Sequence, residues 1–132
     1  MNENVEKLQQ MYAAFGRGDI NTILENVTDD VEWGVDTAAT EVPWYRIHRG
    51  RGGVAEFFGA LAEAVEFKRF EPTTFLAHGD EVVVTVDYDY QFRKNGKGSP
   101  MACMHRFRVR DGKVSSFRAY EDTAGVRTAW VG

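Results

Sequence analysis

The chain has 132 residues, of which 43% are apolar and 27% charged, and its net charge is −4. This composition is typical of a folded globular protein rather than a disordered one, and the length predicts a single domain over residues 1–132. The acidic balance provides no general positive field for a phosphate backbone or an anionic bilayer. We therefore expect neither nucleic acid nor a membrane as a partner.

The first thirty residues predict two helices. Gly16 ends a first helical pattern, whose apolar positions are Val5, Leu8, Met11, Tyr12 and Phe15. Asp19 can cap a short second helix, whose apolar positions run from Ile20 to Val27 and which ends within residues 28–30. The N-terminal segment lacks the apolar run of a signal peptide, and Cys103 is the only cysteine. We therefore expect a cytoplasmic protein without an internal disulfide.

A strand, a long connection and a third helix come next. Val31, Trp33 and Val35 alternate with polar residues or glycine, which is the period of a half-buried strand. Residues 37–53 form a long irregular connection; loops of this length are often functional or mobile, so this one is a candidate lid. A helix beginning near Gly53 then carries its apolar residues on one side as far as Val65.

The remainder of the chain predicts a sheet of hairpins. Strands are expected over residues 66–77, 81–94, 99–110 and 113–121, separated by HGD, NG and DG turns. Because the helices come first and the hairpins last, the pattern indicates an α+β fold. Its three helices should cover one face of a curved antiparallel sheet.

Alternation along these strands assigns their two faces. The even-numbered residues from Val82 to Phe92 and the odd-numbered residues from Met101 to Val109 form the apolar set that should face the helices. Asp87 and Asp89 point outward, as do three arginines of the next strand, and we expect charge pairs between them. In the last strand alternation leaves two possibilities. Either the set with Phe117, Ala119 and Glu121 or the set with Ser116, Arg118, Tyr120 and Asp122 faces inward.

Four segments carry a resemblance to a known family: YAAFGRGDINTILENVTDDVEW, YRIHRGRGGVAEFF, HRFRVRDGKV and FRAYED. Their order and spacing are similar to those of the ketosteroid isomerase and SnoaL-like polyketide cyclase superfamily, also called nuclear-transport-factor-2-like. The resemblance implies a cone-shaped half-barrel of the NTF2-like, cystatin-like kind, with three helices, a bent antiparallel sheet and an apolar pocket. It also implies a homodimer formed through the outer face of the sheet.

The resemblance does not carry over a complete catalytic set. The ketosteroid isomerase tyrosine, shuttle aspartate and oxyanion-hole acid fall at Met11, Val35 and His105. The limonene-epoxide hydrolase set falls at Val86, Tyr88 and Ala119. Neither set is retained. The same alignment implies that Phe117, Ala119 and Glu121 face inward.

His105 and Glu121 are the catalytic candidates that follow. On neighbouring strands in an apolar pocket, an imidazole and a carboxylate could form a coupled pair that exchanges protons near neutral pH. Alternatively, His105 hydrogen-bonds a tyrosine or a carbonyl in an ordinary core, and Glu121 reaches water at the rim or pairs with Arg118. The expected pocket lining is Met11, Phe15, Trp33, Tyr45, Phe58, Leu61, Val86, Tyr88, Tyr90, Phe107, Phe117 and Ala119.

Several other residues have two interpretations. Tyr88 and Tyr90 could donate hydrogen bonds to a ligand carbonyl or simply fill the core. His48, with Arg46 and Arg49, could recognise an acidic substrate or be solvated loop charge. Asp122 should cap a following segment, 123–131. The histidines do not recur at metal-ligand spacing and RGRGGV lacks the lysine and serine of a phosphate loop, so no metal and no cofactor is expected.

The sequence thus predicts a protein that binds a small hydrophobic metabolite bearing a carbonyl or hydroxyl. Cofactor-free acid–base catalysis of the isomerase, cyclase or hydratase type is the expected chemistry. The alternative is a non-catalytic ligand-binding or dimerisation module of the same fold. A homodimer is expected through the outer sheet face, where Val83, Met104 and Tyr120 mix with polar residues.

Overall fold

A computed structural model describes residues 2–98 and 100–132, which form four helices and a six-stranded sheet. The predicted third hairpin strand starts at Ser99, which lies outside the described residues. In chain order the elements are α1 (Glu3–Gly16), α2 (Ile20–Glu25), β1 (Val27–Gly34), β2 (Ile47–Arg49), α3 (Gly50–Ala64), β3 (Val65–His78), β4 (Glu81–Phe92), β5 (Pro100–Arg110), β6 (Lys113–Tyr120) and α4 (Thr123–Val131). The α+β prediction is confirmed, and the helices cover the concave face of an open, curved sheet.

Local capping explains where the N-terminal helices begin. The side chain of Asn2 accepts hydrogen bonds from the backbone of Asn4 and Val5, and Asp19 accepts one from Thr22. The second helix ends at Glu25, earlier than predicted, so Val27 is a strand residue. The reason is tertiary, because the backbone N–H of Val114 donates to the carbonyl of Asn26 and extends the sheet there.

The sheet order is β2-β1-β6-β5-β4-β3. The three predicted hairpins, β3–β4, β4–β5 and β5–β6, are antiparallel as expected. The unpredicted strand β2 pairs antiparallel with β1, but β1 lies parallel to β6, with Trp33 opposite Phe117, so the sheet is not purely antiparallel. This parallel pairing brings the first strand of the chain next to the last. The predicted inner faces of β4 and β5 are confirmed, since the even-numbered residues of β4 and Cys103, His105, Phe107 and Val109 are buried.

Two irregularities shape β3, the edge strand. Its register against β4 shifts between Phe67 and Arg69 and again between Pro72 and Thr74. Each bulge adds one residue and so returns the next apolar side chain to the same face. As a result the strand's apolar residues sit opposite inner-face residues of β4 although their spacing is irregular. The pairs are Phe67 with Tyr90, Phe70 with Tyr88, Pro72 with Val86 and Phe75 with Val84.

The outer face carries ion pairs, but not the predicted ones. Arg106 lies opposite Val83 in the register, so its nearest carboxylate is that of Glu81, which also contacts Arg108. Asp87 lies opposite Ala102 and comes within 3.8 Å of Arg69 instead. The prediction failed because alternation gives the face of a residue and not its partner along the neighbouring strand.

The long connection is packed rather than open. Val42, Trp44 and Tyr45 are buried, and the last residues of the predicted loop form β2 and the first turn of α3. The helix therefore begins at Gly50, three residues before the predicted start.

Asp122 caps α4 as expected, its Oδ1 accepting from the Gly125 N–H at 2.9 Å. In the described part of the chain, no helix is both long and apolar enough to cross a membrane.

Candidate functional site

A cavity lies between the helices and the concave face of the sheet. It offers about 680 Å³ of space, counting the part that opens to solvent. The wall is aromatic and aliphatic apart from His105 and Glu121 and the hydroxyls of three tyrosines. Its members are Met11, Tyr12, Phe15, Ile23, Trp33, Val35, Trp44, Phe57, Phe58, Leu61, Phe67, Phe70, Tyr88, Tyr90, His105, Phe107, Phe117, Ala119 and Glu121.

His105 is held by a residue of the first helix. The hydroxyl of Tyr12 lies 2.6 Å from His105 Nδ1, and the two rings are nearly parallel, with centroids 5.9 Å apart. Phe117 packs edge-on against the imidazole at 5.0 Å. The alternative in which His105 hydrogen-bonds a tyrosine is therefore the observed arrangement.

The surroundings keep His105 neutral. Burial among aromatic rings lowers the pKa of His105 to about 3 and raises that of Tyr12 well above its usual value. A phenol is a better proton donor than a neutral imidazole N–H, so Tyr12 donates to Nδ1 and the ring proton sits on Nε2. No described residue hydrogen-bonds Nε2. That N–H is therefore available to a molecule in the cavity.

Glu121 follows β6 and is bound by two phenols. Tyr45 donates to its Oε2, and Tyr88 donates to its Oε1 at 2.5 Å. Tyr45 comes from the connection between β1 and β2, so the carboxyl group joins that connection to β4. The alternative partner, Arg118, contacts Glu32 at 2.6 Å instead.

Burial also sets the protonation of Glu121. Loss of solvent raises the pKa of the Glu121 carboxyl above its usual value, and the two phenol hydrogen bonds offset only part of that effect. The residue is thus easier to protonate than an exposed glutamate. A carboxyl group tuned in this direction suits proton exchange near neutral pH.

His105 and Glu121 line the same cavity without touching each other. Within residues 2–98 and 100–132 no ion pair or hydrogen bond joins them, and no charged neighbour supports an imidazolium. The expected coupled pair is therefore replaced by two separate hydrogen-bonded groups. Tyr88 lies between them, because its hydroxyl binds Glu121 while its ring centroid is 6.1 Å from that of His105.

Two polar atoms of the wall have no hydrogen-bond partner, and one thiol lies beside the wall. Among the described residues, Trp33 Nε1 and Tyr90 Oη are enclosed without a hydrogen-bond partner. Burial raises the pKa of Tyr90, so its hydroxyl stays protonated. Cys103 lies next to Tyr88 and Glu121, and burial raises the pKa of its thiol to about 12. The thiol is therefore not a ready nucleophile.

Ten of the twelve predicted lining residues lie in the wall, and two do not. Tyr45 reaches the site only through its hydrogen bond to Glu121. Val86 is fully buried between Pro72 and Cys103 in the strand register, where the cavity does not extend. Val86 was predicted from strand alternation and Tyr45 from its position in the long connection. Neither argument shows how far along the sheet or the loop the cavity extends.

Sequence reasoning missed seven lining residues: Tyr12, Ile23, Val35, Trp44, Phe57, Phe67 and Phe70. Tyr12 could have been found, because it belongs to the apolar stripe of the first helix that also contains Phe15. Phe67 and Phe70 could not be assigned from a period of two, since a bulge separates them.

The basic cluster near the third helix is structural. His48 is buried, and its Nε2–H donates to the carbonyl of Trp44 at 3.2 Å; burial lowers its pKa. Arg49 pairs with Glu32 and Arg51 with Asp29, so most of the positive charge is matched. His48 is therefore neither a solvated charge nor open to a substrate, whereas the exposed side chains of Arg46 and Arg49 are solvated loop charges, as one of the two interpretations expected. In the described chain no three His, Cys, Asp or Glu side chains cluster as metal ligands would.

Comparison with known proteins identifies the family. The model of the SnoaL-like domain matches residues 8–117, which is most of the chain. The chain belongs to the SnoaL-like domain family. No sequence among the curated proteins matches it significantly.

Solved structures resemble this SnoaL-like protein over nearly its full length. An NTF2-like protein from Burkholderia xenovorans LB400 is 31% identical, with 96% of this chain and 95% of that chain covered and a TM-score of 0.86. TerC, co-crystallised with polyporic acid, is 25% identical, with 99% and 100% covered and a TM-score of 0.87. An NTF2-like protein of unknown function from Burkholderia pseudomallei K96243 shares the fold at 22% identity, full coverage and a TM-score of 0.91.

Proposed function

We propose that this SnoaL-like protein binds a small, largely apolar metabolite bearing a carbonyl or hydroxyl group and catalyses a cofactor-free proton transfer on it. Isomerisation, cyclisation and hydration all belong to this class. One observation carries the proposal. A carboxyl group held by two phenols, and a neutral histidine with a free N–H, line a cavity that is otherwise apolar.

The two groups have complementary roles in the proposal. The Nε2–H of His105 donates to the substrate oxygen and stabilises the negative charge that develops on it. The Glu121 carboxylate accepts a proton from the carbon next to that carbonyl, so a C–H bond breaks and an O–H bond forms. The carboxylic acid then returns the proton to another atom of the enolate. Tyr45 and Tyr88 position the carboxyl group through their hydrogen bonds.

The wall favours an aromatic or polycyclic ligand. Trp33 and Phe117 stack with centroids 4.4 Å apart, and Phe57, Phe58 and Phe107 surround them. Such rings offer flat apolar surfaces and no countercharge for an ionic ligand. Support comes from TerC, a similar protein co-crystallised with polyporic acid. The proposal extends this preference to the present chain.

Binding and turnover can be tested separately. A panel of phenols, hydroxyquinones and cyclic ketones, with polyporic acid included, is titrated by calorimetry, and deuterium uptake from solvent at carbons next to the carbonyl is followed by NMR. Glu121→Gln should abolish deuterium uptake with binding retained, and His105→Phe should reduce it at least tenfold, a loss of about 1.4 kcal/mol of transition-state stabilisation. Glu63→Gln, at an exposed position on α3, is the control.

The outcomes distinguish the alternatives. Binding without deuterium uptake in the native protein would indicate a non-catalytic ligand-binding module. No binding by any member of the panel would refute the proposal as a whole. Uptake that survives in Glu121→Gln would remove the proton-transfer role from that residue.

We also propose that two copies associate through the outer face of the sheet, in the cytoplasm. Leu76, Met104 and Tyr120 are each more than half exposed there, at 60%, 53% and 53%. Leu76 on β3 lies opposite Val83 on β4, and Met104 on β5 lies opposite Tyr120 on β6, so apolar side chains occur on four neighbouring strands of this face. A surface of this kind on a sheet is typical of a subunit contact.

A further inference from the structure

A groove on the surface, between α1 and the edge strand β3, adjoins the cavity. Four side chains line both spaces: Tyr12 and Phe15 from the helix, and Phe67 and Phe70 from the strand. We call these four residues the aromatic gate. The groove continues outward along Gln9, Ala13, Gly16, Gly18, Pro72 and Phe75. The cavity and the groove are thus separated by one layer of aromatic rings.

The exposure of the cavity wall indicates where it comes nearest to solvent. Fourteen of the nineteen residues of the wall are buried. The gate residues are partly exposed, and the only other partly exposed member of the wall is Glu121. The wall is therefore thin at two places, the gate and the surroundings of Glu121.

The end near Glu121 is closed by strong contacts. Both carboxyl oxygens accept phenol hydrogen bonds, from the connection that carries Tyr45 and from β4. Opening there would leave a carboxyl group without its partners, which is costly in a partly buried site. At the gate, by contrast, the contacts between rings are apolar, apart from the Tyr12–His105 hydrogen bond.

The gate is held by contacts between rings and by an edge strand. The ring centroids of Phe15 and Phe70 are 4.8 Å apart, and those of Phe67 and Phe70 are 5.5 Å apart. The strand that carries two of these rings is at the edge of the sheet and contains two bulges, so no further strand restrains it on that side.

We propose that ligands enter and leave the cavity through the groove between α1 and β3, past the aromatic gate. The inference rests on the proposed function for the identity of the ligand, a neutral apolar aromatic molecule, but the route itself is a property of the cavity. Tyr12 contributes to both the route and the proposed function, because it belongs to the gate and also holds His105. A ligand that passes the gate therefore enters the cavity beside His105.

The test narrows the route at Ala13, which lies outside the cavity wall, and widens it at the gate residue Phe70. Ala13 is exposed and lines the groove, whereas Gln10 is exposed on the same helix and does not. Ala13→Phe should obstruct the groove, Gln10→Phe is the matched control, and Phe70→Ala should open the gate. Xenon, which enters apolar cavities without needing polar contacts, is the first probe, and its exchange rate is measured by NMR. The second probe is the fluorescent phenol 2-naphthol, whose association and dissociation rates are measured by stopped-flow fluorescence.

We expect Ala13→Phe to slow xenon exchange, and the association and dissociation of 2-naphthol, by about tenfold each, with Kd nearly unchanged. Phe70→Ala should accelerate all three rates, and Gln10→Phe should leave them as in the native protein. Xenon exchange that is unaffected by both Ala13→Phe and Phe70→Ala would overturn the route. If xenon follows the expected pattern while no aromatic probe binds, the route stands and the proposed function fails.

Discussion

The hydroxyl of Tyr12 and the Nδ1 atom of His105 are 2.6 Å apart although 93 residues separate them in the chain. The hydrogen bond joins the first helix to the fifth strand across the cavity. It fixes the orientation of the imidazole and directs the ring proton to Nε2. A single contact between helix and sheet therefore decides which atom of His105 can meet a ligand.

Removing this hydroxyl should change the tautomer of His105. In Tyr12→Phe the Nδ1 atom loses its donor, so ¹⁵N chemical shifts of the imidazole should indicate a mixture of tautomers instead of one. The free energy of unfolding should fall by about 1–3 kcal/mol, because a buried acceptor loses its partner. Tyr120→Phe, at a position 53% exposed, is the control. A single unchanged tautomer in Tyr12→Phe would contradict the assignment.

His105 should make the protein sensitive to acid. Its pKa is about 3 in the folded state, well below its usual value, so the unfolded chain binds more protons between about pH 6.5 and 3. The contribution of His105 to the free energy of unfolding should be fully present above that window. It should decline as the pH falls through the window, by at most about 1.4 kcal/mol per pH unit. Urea unfolding of the native protein and His105→Phe would measure this. The decline should flatten in His105→Phe and persist in His78→Phe, an exposed control.

Glu121 should have the opposite effect on stability. Its pKa is raised on folding, so the folded state holds the proton more tightly. Stability should therefore fall as the pH rises from the ordinary glutamate pKa to the raised one, and remain lower above it. Glu121→Gln should lack this fall and gain stability relative to the native protein at alkaline pH. Parallel stability curves for the two proteins between pH 4 and 9 would show that burial does not govern this carboxyl group.

The outer face of the sheet can be tested by adding charge. Met104→Glu places a carboxylate in the centre of the proposed contact and should convert a dimer to a monomer in sedimentation equilibrium at micromolar concentration. Val131→Glu is the matched control, since Val131 is equally exposed, at 53%, but lies on α4. Monomeric native protein under these conditions would refute the proposed dimer.

The thiol of Cys103 should be protected in the folded state. It is 4% exposed and its pKa is about 12, so little thiolate forms at neutral pH. Reaction with a chromogenic disulfide reagent at pH 8 should be slow in native protein and rapid in denaturant. Fast labelling without denaturant would mean that the folded protein opens at β5.

Much of the framework follows from the sequence alone. The even-numbered residues of β4 and the odd-numbered residues of β5 were assigned inward from alternation, because a strand places every second side chain on the same face. The caps Asp19 and Asp122 were also predicted, since their hydrogen bonds reach only three residues along the chain. For the last strand alternation was ambiguous, and only the family resemblance favoured the side of Phe117 and Ala119, which are buried.

Tertiary structure alone decided which side chains bond to each other and which of them reach the cavity. Alternation could not show that Tyr12 would hold His105, that Tyr45 and Tyr88 would share Glu121, or that Arg106 would meet Glu81 instead of Asp87. Nor could it place Phe67 and Phe70, whose bulges break the period. Local sequence fixes the direction of a side chain through backbone geometry, which extends over a few residues. The partner of that side chain depends on register and on the packing of distant segments, which only the assembled fold determines.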